Sequence, residues 1–248
     1  MAGRTGRKRL DVVLTERGLA PSRTRAQALV IAGKVTVDGT VVTKAGTAVA
    51  DDAVVEVAEP DHPYVSRGAL KLEAALDAFD ISPEGLDCLD VGASTGGFTD
   101  LLLSRGARRV VAVDVGRGQL DWRLRQDPRV TVMEGVNART LGPDDLPFPV
   151  GLVTVDVSFI SLRLVVPALL PHLVPGGTLI CLVKPQFEAG RDQVGSGGVV
   201  RDEAVRRRVV DDTVAALEGL GLEPIGLVPS PIRGPAGNLE ELAAFRAS

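Results

Sequence analysis

The feature that most constrains this chain is a short stretch in which a strand runs directly into a loop of small residues and then into a helix. A buried strand is predicted from Cys88 to Val91, residues 92–97 are small, and the pattern from Phe98 to Ser104 is helical. Such a turn lets a ligand approach the backbone, and the helix offers free N–H groups and the positive end of its dipole. The spacing D-x-G-x-S-x-G-G is neither the G-x-G-x-x-G of dinucleotide loops nor a P-loop, which needs a Gly-Lys-Ser/Thr end. A tight strand–helix turn without a ligand is the alternative.

An acidic residue on the next predicted strand, Arg108 to Val115, favours a ligand. Asp114 lies near the end of this strand, about 20 residues past the loop, where nucleoside-binding folds hold a ribose diol. Capping of the helix that follows would also explain Asp114. Together with the loop, and with Asp90 two places before its first glycine, the strand end favours nucleoside binding.

The composition excludes several classes of protein. The 248 residues are 45% hydrophobic, which is enough for one large or two modest domains with full cores. No apolar run approaches the roughly 18 residues of a membrane-spanning helix, and no secretory signal follows the basic N-terminus. Cys88 and Cys181 fall in predicted buried strands, and His62 and His172 are isolated. We therefore expect reduced cysteines, no metal site and a cytoplasmic protein.

The charge is distributed unevenly along the chain. Residues 1–25 carry seven basic and two acidic side chains, a net +5, whereas the whole chain carries −4. A basic arm on an acidic body suggests a polyanionic partner held at one end. A solvated tail explains Arg4 to Arg9 equally well, but not Arg23 and Arg25, which begin a predicted helix.

Residues 1–58 are predicted to form a small α+β domain. Helices are expected at Leu10–Gly18 and Arg23–Ala32, a hairpin turns at Asp38-Gly39, and a last strand covers Ala53–Val57.

The pattern Leu10-Asp11…Ser22-Arg23…Ala26…Ile31-x-Gly33-x-Val35-x-Val37-Asp38-Gly39 resembles the αL-type, or S-four, RNA-binding module. The resemblance implies RNA binding. The residues assigned to it are Arg7, Arg9, Arg23 and Arg25, with Arg67 beyond the linker. Arg23 and Arg25 open a helix, so their charges and its dipole can act on phosphates together.

A linker is predicted at residues 59–64, and residues 65–248 are predicted to form an α/β domain. Strands and helices alternate from Cys88 onward, and the strands are nearly all apolar, which is typical of a parallel, Rossmann-like sheet covered on both faces. Further strands are predicted at Arg129–Met133, Leu152–Val157, Thr178–Val183 and Pro224–Val228, and helices at Ser66–Phe79, Gln119–Gln126, Ile160–His172 and Asp202–Leu220, with Ser66 as a cap.

Unusual residues end several of these strands. They are Asp114, Asn137, Asp156 and Lys184. Ligands of open α/β sheets bind beyond the carboxyl ends of the strands. A charge at the end of a buried strand is costly unless it is paired or used. A salt-bridged rim explains either Asp156 or Lys184 singly, but both together beside the glycine-rich loop favour a site.

Lys71, Asp156, Lys184 and Glu240 match the Lys-Asp-Lys-Glu tetrad of FtsJ-like RNA 2′-O-methyltransferases. Combined with an S-four module, the chain resembles the TlyA family of ribosomal RNA 2′-O-methyltransferases, which also carry the label haemolysin. The matching stretches are Val65–Leu72, Leu89–Thr99, Asp114–Leu120, Asn137–Arg139, Asp156–Leu162, Val183–Glu188, Val194–Val200 and Ser230–Glu240. The resemblance implies S-adenosylmethionine (SAM) as cofactor. The residues expected to bind it are Asp90, Gly92, Ser94, Thr95, Gly96, Gly97, Phe98, Asp114, Val115, Asn137 and Asp156.

The tetrad suggests the chemistry. Lys184 is assigned to the 2′-hydroxyl, Asp156 is expected to orient Lys184, and Lys71 and Glu240 are expected to complete the charge network. Base methylation fits poorly, because the segment after residue 155 offers neither a cysteine nucleophile nor an Asn/Asp-Pro-Pro-aromatic motif. The resemblance implies ribosomal RNA, and within it cytidine, as the substrate. The alternatives are a membrane-active haemolysin and a non-catalytic RNA-binding protein that has kept a SAM pocket.

The end of the chain departs from the family pattern. The family continues past this glutamate as an apolar strand, whereas Glu241-Leu-Ala-Ala-Phe-Arg-Ala-Ser predicts a helical or frayed end.

Overall fold

The computed structural model describes residues 6–20, 22–57 and 62–248. The chain divides into two compact units, residues 1–61 and 62–248.

The N-terminal unit packs two helices against short antiparallel strands. Its elements are β1 (Arg7–Arg9), α1 (Leu10–Glu16), α2 (Arg23–Ile31), β2 (Val35–Val37), β3 (Thr40–Val41), β4 (Ala48–Ala50) and β5 (Val55–Val57). β1 pairs with β4, and β2 lies between β3 and β5. Asp38 and Gly39 both have positive φ, as the predicted tight hairpin requires. β1 could not be predicted from the sequence, because its residues Arg7 to Arg9 are all polar and exposed.

The second unit is a seven-stranded sheet with helices on both faces. Its elements are α3 (Ala69–Ala78), β6 (Asp87–Val91), α4 (Gly97–Ser104), β7 (Arg109–Asp114), α5 (Trp122–Gln126), β8 (Val130–Glu134), β9 (Val150–Val155), α6 (Leu162–Leu169), β10 (Leu173–Val183), α7 (Pro185–Glu188), α8 (Glu203–Glu218), β11 (Leu222–Pro229) and β12 (Glu241–Ala247). The strand order is β11-β12-β10-β9-β6-β7-β8. The five strands from β10 to β8 are parallel, and β12 is antiparallel to both of its neighbours. This confirms the predicted Rossmann-like α/β fold.

The alternation of side chains along the strands builds two hydrophobic cores. On one face, Cys88 and Val110 pack with residues of α3 and α4. On the other face, Leu89 and Val111 pack with residues of α6 and α8. Because helices cover both faces, a ligand can approach the sheet beside the glycine-rich loop at the carboxyl edge.

The prediction for the end of the chain was wrong. Residues 241–247 form β12, which lies between β10 and β11, and Leu242 to Phe245 are at most 1% exposed. The Glu-Leu-Ala-Ala composition favours a helix locally, but hydrogen bonding to two neighbouring strands outweighs that weak preference.

The predicted cap of α3 was also wrong. The helix begins at Ala69 after Gly68, without a side-chain cap, and Ser66 contributes only its carbonyl, which accepts from the Ala69 N–H at 3.2 Å. Among the described residues, no helix is long and apolar enough to cross a membrane.

Candidate active site

The glycine-rich loop turns sharply at the carboxyl end of β6. Gly92, Ser94 and Gly96 all have positive φ, a conformation that explains why small residues recur at alternate positions. Gly92 also lies against the chain that leaves β9, where a Cβ atom would come 2.5 Å from the Asp156 carbonyl oxygen. Glycine at this position therefore lets the loop and Asp156 share one edge of the sheet.

A cavity of about 420 Å³ opens at this edge. The residues expected to bind the cofactor that line it are Gly92, Ser94, Asp114, Val115, Asn137 and Asp156. The other lining residues are largely apolar and include Val136, Ala138, Ile160 and Val165. An apolar cleft with a few polar groups is typical of a site for a small organic ligand.

A smaller cavity of about 130 Å³ lies on the other side of the loop. Ser66, Thr95, Gly97 and Phe98 line it, and it shares Gly92, Ser94 and Asp156 with the larger one. Asp156 is thus exposed to both spaces.

Two of the residues expected to bind the cofactor line neither cavity. Asp90 is fully buried beneath the loop, where its two carboxylate oxygens accept from the hydroxyls of Thr99 (2.7 Å) and Thr154 (3.2 Å). It thereby connects β6 to α4 and β9, and burial raises the pKa of Asp90 to about 7. Gly96 is favoured by its backbone, because φ is +97°, and a Cβ atom there would also press against the ends of the Leu120 and Leu124 side chains.

Asp114 braces the loop from the end of β7. Its Oδ2 accepts from the Ser94 N–H at 2.8 Å, and its Oδ1 accepts from the Gly116 N–H at 2.7 Å. Each carboxylate oxygen keeps a second lone pair, so the group can accept from a ligand in the cavity as well.

The predicted tetrad forms two ion pairs. Lys184, which follows β10, has its Nζ 2.6 Å from Asp156 Oδ1. Lys71 of α3 donates to Glu240 Oε2 at 2.5 Å, and both residues are buried. Of the four, only Asp156 lines the cavities. Glu240 Oε1 is buried and has no hydrogen-bond partner in the described part of the chain.

Two residues that the sequence did not single out belong to this region. Ser158 lines the large cavity, and its Oγ accepts from Lys184 Nζ at 2.9 Å. Phe159 also lines it, although the side chain is 91% exposed and φ is +63°. A bulky residue rarely adopts a positive φ. The centroid of its ring lies 5.0 Å from that of Phe187.

In the N-terminal unit, a buried carboxylate holds two of the arginines expected to bind RNA. Asp11 is fully buried and accepts from Arg9, Arg23 and Gln27, and chiefly the Arg9 guanidinium holds the pKa of this carboxyl well below its usual range. The side chains of Arg9 and Arg23 remain 50% and 57% exposed. Arg7 and Arg25 are also exposed, as is Arg67 in the second unit.

In the second unit, the arginines near the two edges of the sheet differ in whether a carboxylate neutralises their charge. Four arginines lie at or shortly before the start of β7 and β8, and all form ion pairs with carboxylates: Arg105, Arg108, Arg109 and Arg129. Arg123, which follows β7, is exposed and pairs with Asp121. Six other exposed arginines that follow the carboxyl ends of the strands or flank the loop have no carboxylate within 4 Å among the residues described here. They are Arg67, Arg117, Arg139, Arg163, Arg201 and Arg233. The edge that carries the cavity thus has unneutralised positive charge.

Comparison with known proteins adds the family. The model of FtsJ-like methyltransferases matches residues 64–247, and that of the S4 domain matches residues 8–55. The chain is 51% identical to the 16S/23S rRNA (cytidine-2'-O)-methyltransferase TlyA of Mycobacterium tuberculosis, over 94% of this chain and 88% of that protein. It is 40% identical to Hemolysin A of Brachyspira hyodysenteriae, over 96% of this chain and 99% of that protein.

A solved structure from Streptococcus thermophilus, which carries a hemolysin name, is 43% identical and superposes with a TM-score of 0.78. The match covers 98% of this chain and 90% of that one. Because the match covers nearly the whole chain, it includes both the S4 domain and the methyltransferase domain. The chain therefore belongs to the TlyA family of FtsJ-like methyltransferases.

Proposed function

We propose that this protein transfers a methyl group from SAM to the ribose 2′-hydroxyl of cytidine in ribosomal RNA. The observation that carries the proposal is the Lys184–Asp156 ion pair, whose carboxylate lines the cavity beside the glycine-rich loop. The Mycobacterium tuberculosis relative is named for this reaction, which supports the substrate. With such a substrate, the protein would act in the cytoplasm, where the ribosomes are.

The cavity residues suit a nucleoside with a charged tail. Asp114 and Asn137 offer oxygen acceptors at the ends of neighbouring strands, β7 and β8, where a ribose diol would donate. The N-terminus of α4 faces the loop with its free N–H groups and favours a carboxylate there. SAM, when bound, supplies the electrophilic methyl group.

The tetrad acts on the attacking hydroxyl. A ribose 2′-hydroxyl is a poor nucleophile, so its oxygen must lie in line with the methyl group. Correct positioning can lower the barrier by several kcal/mol, up to about 7–11 in the best cases. The Lys184 ammonium beside the hydroxyl would favour its ionised form, and the Lys184 side chain in its neutral form would accept the hydroxyl proton as the methyl group is transferred. Asp156 would hold the lysine in place. The Lys71–Glu240 pair would fix the charge environment around the ribose.

The two units would divide the work. Residues 1–58 would anchor RNA through Arg7, Arg9, Arg23 and Arg25, and residues 65–248 would carry the reaction. Removing residues 1–58 should leave SAM binding intact and abolish methylation of ribosomal subunits. Replacing Arg23 and Arg25 together by Ala should reduce the salt dependence of RNA binding by up to roughly two phosphate contacts. An unaltered salt slope would count against this role.

The positive edge of the catalytic unit supports an RNA substrate that covers the mouth of the cavity. Six exposed arginines on this side of the sheet have no carboxylate partner among the described residues, whereas those at or shortly before the start of β7 and β8 are neutralised. Exposed phosphate contacts of this kind position a nucleic acid without reading its sequence.

The direct test is transfer of tritiated methyl from SAM to isolated ribosomal subunits, with mapping of the modified nucleotide. Lys184→Ala should lower the single-turnover rate by roughly 100-fold or more, because it removes the group next to the nucleophile, and should leave SAM affinity unchanged. Lys184→Arg should not restore the rate, since a guanidinium has a different shape and does not give up its proton. An Ala variant that melts earlier but keeps near-normal turnover would show that Lys184 is a structural rim residue.

Membrane activity is the competing function, because the Brachyspira relative is named Hemolysin A. Leakage of dye from liposomes, measured with the same purified protein, tests it independently of methyl transfer.

A further inference from the structure

Ser158 occupies a place between the cavity and the buried lysine of the tetrad. It is exposed and lines the cavity wall, whereas the Lys184 side chain is only 10% exposed and does not line the cavity. Lys184 Nζ donates to Ser158 Oγ at 2.9 Å. Ser158 therefore links the cavity wall to the ammonium.

The ammonium is held on two sides. It has three N–H donors. The Nζ atom lies 2.6 Å from Asp156 Oδ1, an ion pair that is not aligned as a hydrogen bond, and it donates to Ser158 Oγ. It also lies 6.0 Å from the centre of the Phe187 ring, so it can still donate to a substrate oxygen. With Asp156 as its one partner, the flexible lysine could rotate about that contact. A second partner, the hydroxyl of Ser158, restricts the direction in which the ammonium can donate to a substrate. The Ser158 hydroxyl, which accepts from Lys184, also keeps its own hydrogen to donate.

We propose that Ser158 is a positioning residue for methyl transfer, which acts by fixing the Lys184 ammonium toward the substrate hydroxyl. This inference rests on the proposed function, in which Lys184 serves the 2′-hydroxyl. Ser158 forms no covalent bond in this role. Its contribution is the geometry of the ammonium, so its effect must disappear when Lys184 is absent.

A double-mutant cycle tests the dependence. Single-turnover methylation of ribosomal subunits at saturating SAM is measured for Ser158→Ala, Lys184→Ala and the double variant. Loss of a hydrogen bond to a charged group should slow Ser158→Ala by about tenfold or more, with unchanged SAM affinity. Ser158→Ala should cause no further loss in the Lys184→Ala background, and Ser158→Thr, which keeps the hydroxyl, should recover most of the rate.

Ser161→Ala is the matched control. Ser161 lies in the same segment, but its hydroxyl donates to Glu188 at 2.5 Å and caps α6 rather than contacting Lys184. This variant should melt earlier and keep its rate. Equal rate losses in the Ser158 and Ser161 variants, or losses from Ser158→Ala and Lys184→Ala that multiply, would assign Ser158 to loop stability and overturn the inference.

The outcomes separate this inference from the proposed function. If Lys184→Ala is slow and Ser158→Ala is normal, only the positioning role fails. If Lys184→Ala keeps its rate, or the wild-type protein transfers no methyl group, the proposed function fails and the inference fails with it.

Discussion

The buried carboxyl beneath the glycine-rich loop should make the stability of the catalytic unit depend on pH near neutrality. Asp90 is completely buried, and its side-chain partners are hydroxyls rather than a cation, so burial raises its pKa to about 7. In the unfolded chain an aspartate has a pKa of about 3.9. Between these values the folded chain binds the extra proton, so the stabilisation is complete at low pH and is lost as the pH rises through 7.

The size of the effect follows from the pH interval between the pKa of Asp90 in the unfolded chain and its pKa in the folded protein. Each pH unit in this window is worth about 1.36 kcal/mol, so the free energy of unfolding should fall by about 2 kcal/mol between pH 5.5 and 7 on account of Asp90. Asp90→Asn removes the ionisation and keeps the shape of the protonated carboxyl. The difference in stability between the wild type and this variant should therefore shift by about 2 kcal/mol, in favour of the variant, over that range.

Urea unfolding followed by circular dichroism at pH 5.5, 6.5, 7.5 and 8.5 measures this shift. Asp87→Asn is the matched control, because Asp87 lies on the same strand and is also buried, but Arg109 and Arg108 hold its pKa well below the usual range. Its loss should cost the same at every pH in the series. Curves for wild type and Asp90→Asn that stay parallel from pH 5.5 to 7.5 would show that Asp90 is ionised throughout and refute the reasoning.

Three further changes test the rest of the site. Asp114→Ala removes a charged acceptor that also braces Ser94, so SAM affinity measured by calorimetry should fall by about 1–3 kcal/mol; unchanged affinity would remove Asp114 from the site. Glu240→Ala leaves the Lys71 ammonium buried without its partner and should destabilise the fold by about 3–5 kcal/mol in urea, and a second change of Lys71 to Met should recover much of this. Arg139→Ala should lower the slope of log K against log salt for RNA binding by about 0.7–0.9, whereas Arg129→Ala, whose side chain is paired with a carboxylate, should not.

The fold could be predicted largely because its signals are local and repeated. The strands are nearly uninterrupted apolar runs, each followed by helical periodicity, and such alternation specifies a parallel sheet with covered faces. The glycine-rich loop was equally readable, since positive φ at Gly92 and Gly96 leaves few residue types possible.

The orientation of Asp90 could not be read in the same way. In a sheet covered on both faces, the two sides of a strand are equally apolar, so alternation does not tell which side meets a ligand. The sequence placed Asp90 with the cofactor residues because of its distance from the glycines. The structure places its carboxylate between two threonines, one of them 64 residues further along the chain.

Ser158 and Phe159 escaped detection for a different reason. They lie in the segment between β9 and α6, where no periodicity links a residue type to a direction. In the folded protein the Ser158 hydroxyl accepts from Lys184, and Phe159 has a strained backbone conformation beside the cavity. Backbone strain of this kind is typical of functional sites, but it cannot be predicted from the type of residue.

The last strand shows how a local misreading can hide a functional residue. β12 runs antiparallel to β10, and Glu241 lies opposite Val183. Glu240, which precedes β12, and Lys184, which follows β10, are therefore at the same end of the two strands. The strand pairing that buries Leu242 to Phe245 therefore also positions Glu240 at the edge of the sheet that carries the tetrad. There it accepts a hydrogen bond from Lys71, which is 169 residues away in sequence. Had the chain end been helical, as its composition suggests, nothing would hold Glu240 against Lys71. The fourth member of the tetrad thus depends on a strand whose formation is decided by its neighbours rather than by its own sequence.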